Sequence, residues 1–317
     1  LFIEVYVALK RAAATVHSRS GELDKKRAGA IVKACDEIRK GALRDQFLVD
    51  VYQMGAGTSI HMNVNEVIAN RANEILGGRR GTYNHVHPND HVNLGQSTND
   101  TFPTTMRLSA ALMINKYLQP ALLELSQSFR QKGKAFDGIL KSARTHLQDA
   151  VPIRLGQEFA AYGVTLKCCH DEIGSVSGGL LEIGLGGSAA GTGLNTKAGY
   201  AKDVARELGR LLGLKVVSAG DLREAMQSQR PIARASASLR NLALEVTRIC
   251  NDLRLLSSGP TTGLAEIELP PVAPGSSIMP GKVNPSILEM TNMVAYHVLG
   301  CDAAIAYAVQ PGNWSSM

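Results

Sequence analysis

The sequence predicts an all-α fold, a bundle of long helices. Three observations lead there. Aromatic residues make up only 5% of the 317-residue chain, with one Trp, while alanine and leucine abound. That balance suits close helix packing better than a sheet. Apolar residues recur at helical spacing over spans of about 25 residues, too long for strands. Within one such span, Leu239, Leu242, Val246, Ile249, Leu253 and Leu256 keep the 3-4 spacing of a coiled-coil seam.

Taken in order, the chain opens inside a helical pattern, where Lys10-Arg11 follows a short apolar segment. The stretch 24–40 is amphipathic, and Gly41 beyond it is a good terminator. Gly55-Ala56-Gly57-Thr58-Ser59 leads into Asn63-Val64-Asn65-Glu66, which reads as a capping box with Asn63 as cap. The helix over 65–76 then ends at Gly77-Gly78. Gln96-Ser97-Thr98-Asn99-Asp100 is a second helix start, crowded with hydroxyls and amides, before a helical stretch over 104–134 that Pro120 interrupts. Arg144-Thr145-His146-Leu147-Gln148-Asp149 is a polar cluster just before Pro152. Helices follow over 155–175, 231–257 and 285–309, and only 214–218 looks strand-like.

Composition excludes several classes. The net charge of +6 is dispersed along helices, with Lys25-Lys26-Arg27 and Arg79-Arg80 the obvious clusters. Solvated helix faces account for these better than a nucleic-acid stripe does. A modest positive balance also helps attract a small dianion. No apolar run reaches the ~18 residues needed to cross a bilayer, and no cleavage site of a signal peptide is evident. The five cysteines (Cys35, Cys168, Cys169, Cys250, Cys301) lack metal-ligand spacing, and an odd count argues against a disulfide framework. A reducing cytoplasm is the expected location.

Two segments invite other readings. Gly184-Leu185-Gly186-Gly187-Ser188 has Ala189 where a dinucleotide loop needs its third glycine, so close backbone packing explains these glycines better. His85, His87, Asp90 and His91 crowd together, yet their spacing is loose for a metal and the Pro88-Asn89-Asp90 turn explains the polarity. No metal site is read from the sequence.

The richest segment is Gly275-Ser276-Ser277-Ile278-Met279-Pro280-Gly281-Lys282-Val283-Asn284-Pro285. Asn284 reads as an N-cap with proline at the first helical position. The helix N-terminus and Lys282 together favour a carboxylate or phosphate, and the paired serines sit where a loop closes over such an anion.

These residues resemble the aspartase/fumarase superfamily of homotetrameric lyases, whose signature is a GSSxMPxKxN loop; 275–284 matches every fixed position. The likeness runs from about residue 4 to about residue 310. Asp45-Gln46-Phe47, Val49-Asp50-Val51-Tyr52-Gln53 and Gly55-Ala56-Gly57-Thr58-Ser59 resemble bacterial aspartases (aspartate ammonia-lyases) more than class II fumarases. The resemblance implies a long-helix bundle in which four copies build a twenty-helix core. It implies the end of an N-terminal domain and the start of the central domain over 1–95, the central bundle over 96–310, and the start of a C-terminal domain over 311–317.

It also implies an ammonia-lyase taking L-aspartate to fumarate through an enediolate, with fumarate hydratase acting on L-malate as the alternative. Ser276 is the implied base. His146 pairs with Glu289, a carboxylate that raises the basicity of the far ring nitrogen. Thr58, Ser97, Thr98 and the backbone near Ser277 hold the carboxylate that becomes the enediolate. Lys282, Asn284 and Thr145 clamp the other carboxylate, and Asn99 lies near the amino group. The implied site draws on three subunits and needs no organic cofactor; nucleic acid and membrane are not among the implied partners. His87-Pro88-Asn89-Asp90 resembles a second dicarboxylate site of class II fumarases, but Asn84 stands where those enzymes usually place arginine. His61 is a further departure, since the family commonly has asparagine there; a protonated His61 near Thr58 would oppose an ammonium and favour a hydroxyl substrate.

Overall fold

The computed structural model describes residues 1–310; the expected start of a third domain at 311–317 lies outside the described residues. The elements in chain order are α1 (Phe2–Arg19), α2 (Lys25–Arg39), α3 (Thr58–Ile75), α4 (Thr98–Met113), α5 (Gln119–Ala135), β1 (Leu140–Thr145), β2 (Gln148–Arg154) and α6 (Leu155–Gly178). They continue with β3 (Glu182–Ile183), α7 (Tyr200–Leu212), β4 (Val217–Ser218), α8 (Leu222–Gln227), α9 (Arg230–Leu256) and α10 (Ser286–Val309). The fold is mostly helical, as the composition and periodicity predict.

Local chemistry sets most boundaries. Asp24 caps α2, accepting from the amides of Lys26 and Arg27. The break expected at Pro120 falls just before it, at a π-type segment over Ile114–Leu118, and Pro120 sits in the first turn of α5 where its missing N–H is harmless. Two expected caps are wrong. Helix α3 begins at Thr58, with Gly57 as cap, so Asn63 lies inside it and donates to the Gln46 carbonyl instead. Asn284 does not cap α10 either: its Nδ2 donates to the Gly275 carbonyl at 2.7 Å, and the Pro285 carbonyl accepts from the Glu289 amide.

The chain forms two compact units. The first gathers Leu1–Met113, Ser177–Ile232, Val309 and Gln310; the second holds Ile114–Val176 and Ala233–Ala308. In the first unit α1 is buried over most of its surface, leaving a partly exposed polar stripe of Glu4, Arg11, Thr15 and Ser18. Tyr6, Val7 and Ala14 pack with Ile31, Cys35 and Ile38 of α2 and with Val64 and Ile68 of α3. On the other side, Val5, Leu9, Ala12 and Val16 meet Leu108, Val204 and Leu208. Each such large side chain contributes about 1.5–3 kcal/mol on burial. Strands β3 and β4 form a short parallel pair that joins the chain ahead of α7 to the chain after it, and the buried Arg107 of α4 donates to the carbonyls of Glu182, Ala225 and Ser228.

The second unit is the helical bundle α5, α6, α9 and α10. Ser126 of α5 donates to the Gly163 carbonyl of α6 at 2.7 Å, and Tyr162 of α6 donates to Asp252 of α9 at 3.2 Å. Asn292 of α10 donates to Asn251 of α9 at 2.9 Å. The expected seam on α9 is buried at Ile249, Leu253 and Leu256, whereas Leu239, Leu242 and Val246 are only half-buried. On α10, Ile287, Met290 and Val294 form an exposed apolar stripe at helical spacing.

The polar cluster 144–149 is part of an unforeseen antiparallel hairpin, with β1 and β2 paired from Leu140↔Arg154 to Thr145↔Gln148. Its signal was weak because the turn residues are His146 and Leu147 rather than Asn-Gly. Both adopt left-handed φ, 55° and 61°, as a two-residue hairpin turn requires. Among the described residues, no helix is long and apolar enough to cross a membrane.

Candidate active site

Thr58, Ser97, Thr98 and Asn99 belong to the first unit, at the starts of α3 and α4. The local sequence builds a reciprocal cap at α4: Ser97 Oγ accepts from the Asn99 amide at 3.2 Å, while the Ser97 amide donates to Asp100 Oδ1 at 2.9 Å. Asn99 Nδ2 donates to the Ala189 carbonyl. Asp100 Oδ2 accepts from the amides of Gly186 and Ser188 at 3.1 and 3.0 Å, so the glycine-rich 184–188 turn serves close backbone approach. Burial raises the Asp100 carboxyl to about 6 against the pull of these three backbone N–H groups.

The two helix starts meet through His61, one turn into α3. Its Nδ1 lies 2.6 Å from Thr98 Oγ1, and its Nε2 lies 2.8 Å from Lys10 Nζ and 2.9 Å from Asn93 Oδ1. His61 is 1% exposed. Burial, and then the neighbouring Lys10 charge, push its pKa down to about 2, so the imidazole is neutral. Lys10 of α1 is fully buried, and its ammonium also donates to Asn93 Oδ1 and Gln96 Oε1 at 2.8 and 2.9 Å. Sequence reasoning assigned no role to Lys10 or Asp100. The signal for Lys10 was the Lys10-Arg11 pair inside the otherwise apolar run Tyr6–Ala14, of which only Lys10 is fully buried.

Gly57 places Thr58. Its φ is +78°, and an added Cβ would fall within the ring of Phe102. Gly57→Ala is therefore expected to destabilise the protein by about 2–4 kcal/mol, combining left-handed strain with overpacking. Thermal unfolding measures this; an unchanged midpoint would mean that Phe102 moves freely aside.

Thr145, His146, Ser276, Ser277, Lys282, Asn284 and Glu289 belong to the second unit. Ser276 Oγ accepts from the backbone amides of Ile278 and Met279 at 3.2 and 3.0 Å. Two N–H groups aimed at one hydroxyl oxygen favour negative charge on it. The loop closes on itself: a Cβ at Gly275 would overlap the Lys282 carbonyl, and Asn284 ties its far end to Gly275. Ser277 and Lys282 are exposed, and Ser276 is half-buried.

Thr145 and His146 lie at the exposed tip of the hairpin. Its base is held by Glu266, which pairs with Lys141 at 2.5 Å and also with Arg144. The single chain does not join His146 to Glu289; the Glu289 carboxylate lies 3.5 Å from Arg254. His87, the candidate of the second dicarboxylate site, turns its Nδ1 onto the amides of Asn89 and Asp90 as a cap. Among the described residues, no group of three or more His, Cys, Asp or Glu is placed to hold a metal ion.

The family described as lyase matches residues 2–300. The class II fumarate hydratase of Campylobacter jejuni is 46% identical over 314 residues, 99% of this chain and 68% of that protein. The aspartate ammonia-lyase of Bacillus subtilis is 46% identical over 311 residues, 98% of this chain and 65% of that protein. The solved structure of fumarate lyase:delta crystallin from Brucella melitensis, bound to cobalt, matches with TM-score 0.95 at 47% identity, covering 99% of this chain and 68% of that one. The chain belongs to the aspartase/fumarase superfamily of lyases.

Proposed function

We propose that this chain forms fumarate from a small dicarboxylate by proton abstraction beside a carboxylate, and that L-malate is its substrate. The observation that carries the reading is the pair of amides on Ser276 Oγ. They suit the alkoxide of Ser276, which takes the weakly acidic proton and becomes the neutral hydroxyl. Ser276 removes that proton. The carboxylate becomes an enediolate, held by Thr58, Ser97, Thr98 and the Ser277 backbone with the N-termini of α3 and α4 behind them. Lys282, Asn284 and Thr145 hold the other carboxylate. His146, oriented by Glu289 of another copy, protonates the departing hydroxyl, which leaves as water. Asn99 lies beside that group.

Two observations move the balance from the expected aspartate ammonia-lyase to the fumarate hydratase. More of the similar relatives carry the hydratase name. The buried Lys10 ammonium stands behind His61 and Thr98. At an effective dielectric near 20, the charged form of Lys10 and an ammonium ~8 Å away repel by roughly 2 kcal/mol, which disfavours an ammonium substrate while Lys10 is protonated. The ammonia-lyase remains the second reading because 45–59 resembles the aspartase form and because His61 is neutral.

The exposed stripe Ile287, Met290 and Val294 supports a homotetramer whose active sites are shared between subunits. The domain division 1–95, 96–310 and 311–317 and a cytoplasmic location belong to the same proposal. Fumarate absorbance, followed with the full-length protein at neutral pH, should rise at least about tenfold faster from L-malate than from L-aspartate. Faster turnover of aspartate would promote the ammonia-lyase, and turnover of neither would end the reading.

A further inference from the structure

We propose that Lys10 and His61 are positioning residues that decide whether the Thr98 hydroxyl donates or accepts a hydrogen bond, and thereby whether this subsite takes a carboxylate. The inference rests on the placing of Thr98 in the substrate site, but its mechanism lies wholly in the network. An ammonium has three N–H donors and no acceptor. Lys10 Nζ faces three acceptor positions, His61 Nε2, Asn93 Oδ1 and Gln96 Oε1, at 2.8, 2.8 and 2.9 Å. With Lys10 charged, Nε2 must accept, so the neutral imidazole carries its proton on Nδ1. Nδ1–H then donates to Thr98 Oγ1, 2.6 Å away. A hydroxyl whose lone pair is taken this way turns its own proton outward, toward an anion.

With Lys10 neutral the chain of bonds reverses. Nε2–H donates to Asn93 Oδ1, 2.9 Å away, and Nδ1 becomes the acceptor for the Thr98 hydroxyl. Thr98 then shows the site only lone pairs, which repel a carboxylate. The proton moved is the one on Lys10; no bond to carbon changes.

The equilibrium falls in the working range. Burial lowers Lys10 from the ordinary lysine value to about 7, with Asp100 opposing. The groups facing it are Tyr6 on α1, Cys35 on α2, His61 on α3 and Asp100 on α4; α7 contributes Tyr200, which is coupled to Asp100. Burial holds the Tyr6 phenol up and Cys35 at about 12, so both stay neutral while Asp100 is an anion above about 6. Below pH 7 Lys10 is charged and Thr98 donates; above it Thr98 accepts.

The test uses the full-length protein. Nitrogen-15 spectra should show His61, assigned by its loss in His61→Asn, neutral from pH 5.5 to 9 and changing from the Nδ1–H to the Nε2–H tautomer near pH 7. Succinate affinity, by calorimetry, should fall about tenfold between pH 6 and 8, and Lys10→Met should flatten that dependence. A single tautomer throughout, an imidazolium, or a pH-independent succinate affinity in the wild type would each overturn the proposal. Both wild-type readouts hold even where Lys10→Met fails to fold. A tautomer change with the succinate response, in a protein that turns over neither malate nor aspartate, would uphold the network while removing the proposed reaction.

Discussion

Ser276→Ala is expected to lower fumarate formation by about a thousandfold or more while succinate binding changes by less than about threefold. The serine sits in the loop whose amides at Ile278 and Met279 point at its Oγ. Alanine removes the oxygen that takes the proton and leaves these exposed amides to water. The loop keeps its closure, because the Asn284 bond to the Gly275 carbonyl does not involve residue 276. A base acts only in the chemical step, so turnover falls and binding does not. Steady-state rates on the full-length protein and calorimetry with succinate separate the two. A rate loss under tenfold would place the base elsewhere, and an equal loss of binding would make Ser276 an anchor for substrate.

Asp100→Ala is expected to destabilise the protein by about 3–5 kcal/mol, a large share of the net stability of a domain. The carboxylate is 1% exposed and accepts from the amides of Ser97, Gly186 and Ser188. Removing it leaves three N–H groups without partners, that of Gly186 buried and those of Ser97 and Ser188 partly buried, each worth up to about 1–3 kcal/mol, against which the desolvation of the carboxylate is recovered. Asp100→Asn should fall between, because both carboxylate oxygens face N–H donors and an amide offers only one acceptor. Denaturant unfolding monitored by circular dichroism gives the order wild type, asparagine, alanine. An alanine variant within 1 kcal/mol of wild type, a threshold of about one ordinary hydrogen bond, would show that 184–188 is held by other contacts.

Helices α2, α6, α9 and α10 were legible because each carries its own periodicity and punctuation: Asp24 before α2, Gly41 beyond it, and the spaced leucines of α9. The 275–284 loop was legible because its residue types and spacing are local. Helix α3 was misjudged at its start. Asn63 and Glu66 looked like a cap, but Gly57 in the left-handed region and Gln53, accepting from the Ile60 amide, begin the helix at Thr58. The hairpin 140–154 was not foreseen, since its pairing is read from partners across the turn and His146-Leu147 carries no turn signature.

The site divides along the same line. The sequence alone determined that this is a long-helix chain of the lyase superfamily and which hydroxyls, amides and cations are the candidates. Those are properties of residue type and spacing along the chain. Only the tertiary structure decided what surrounds them. Lys10 meets His61, Asn93 and Gln96, and Asp100 reaches the turn at 186–188, through contacts between residues far apart in sequence. Protonation follows from that enclosure. A histidine and a lysine that are ordinary in the sequence become a neutral imidazole and a lysine near neutrality, because burial removes water and sets their few partners.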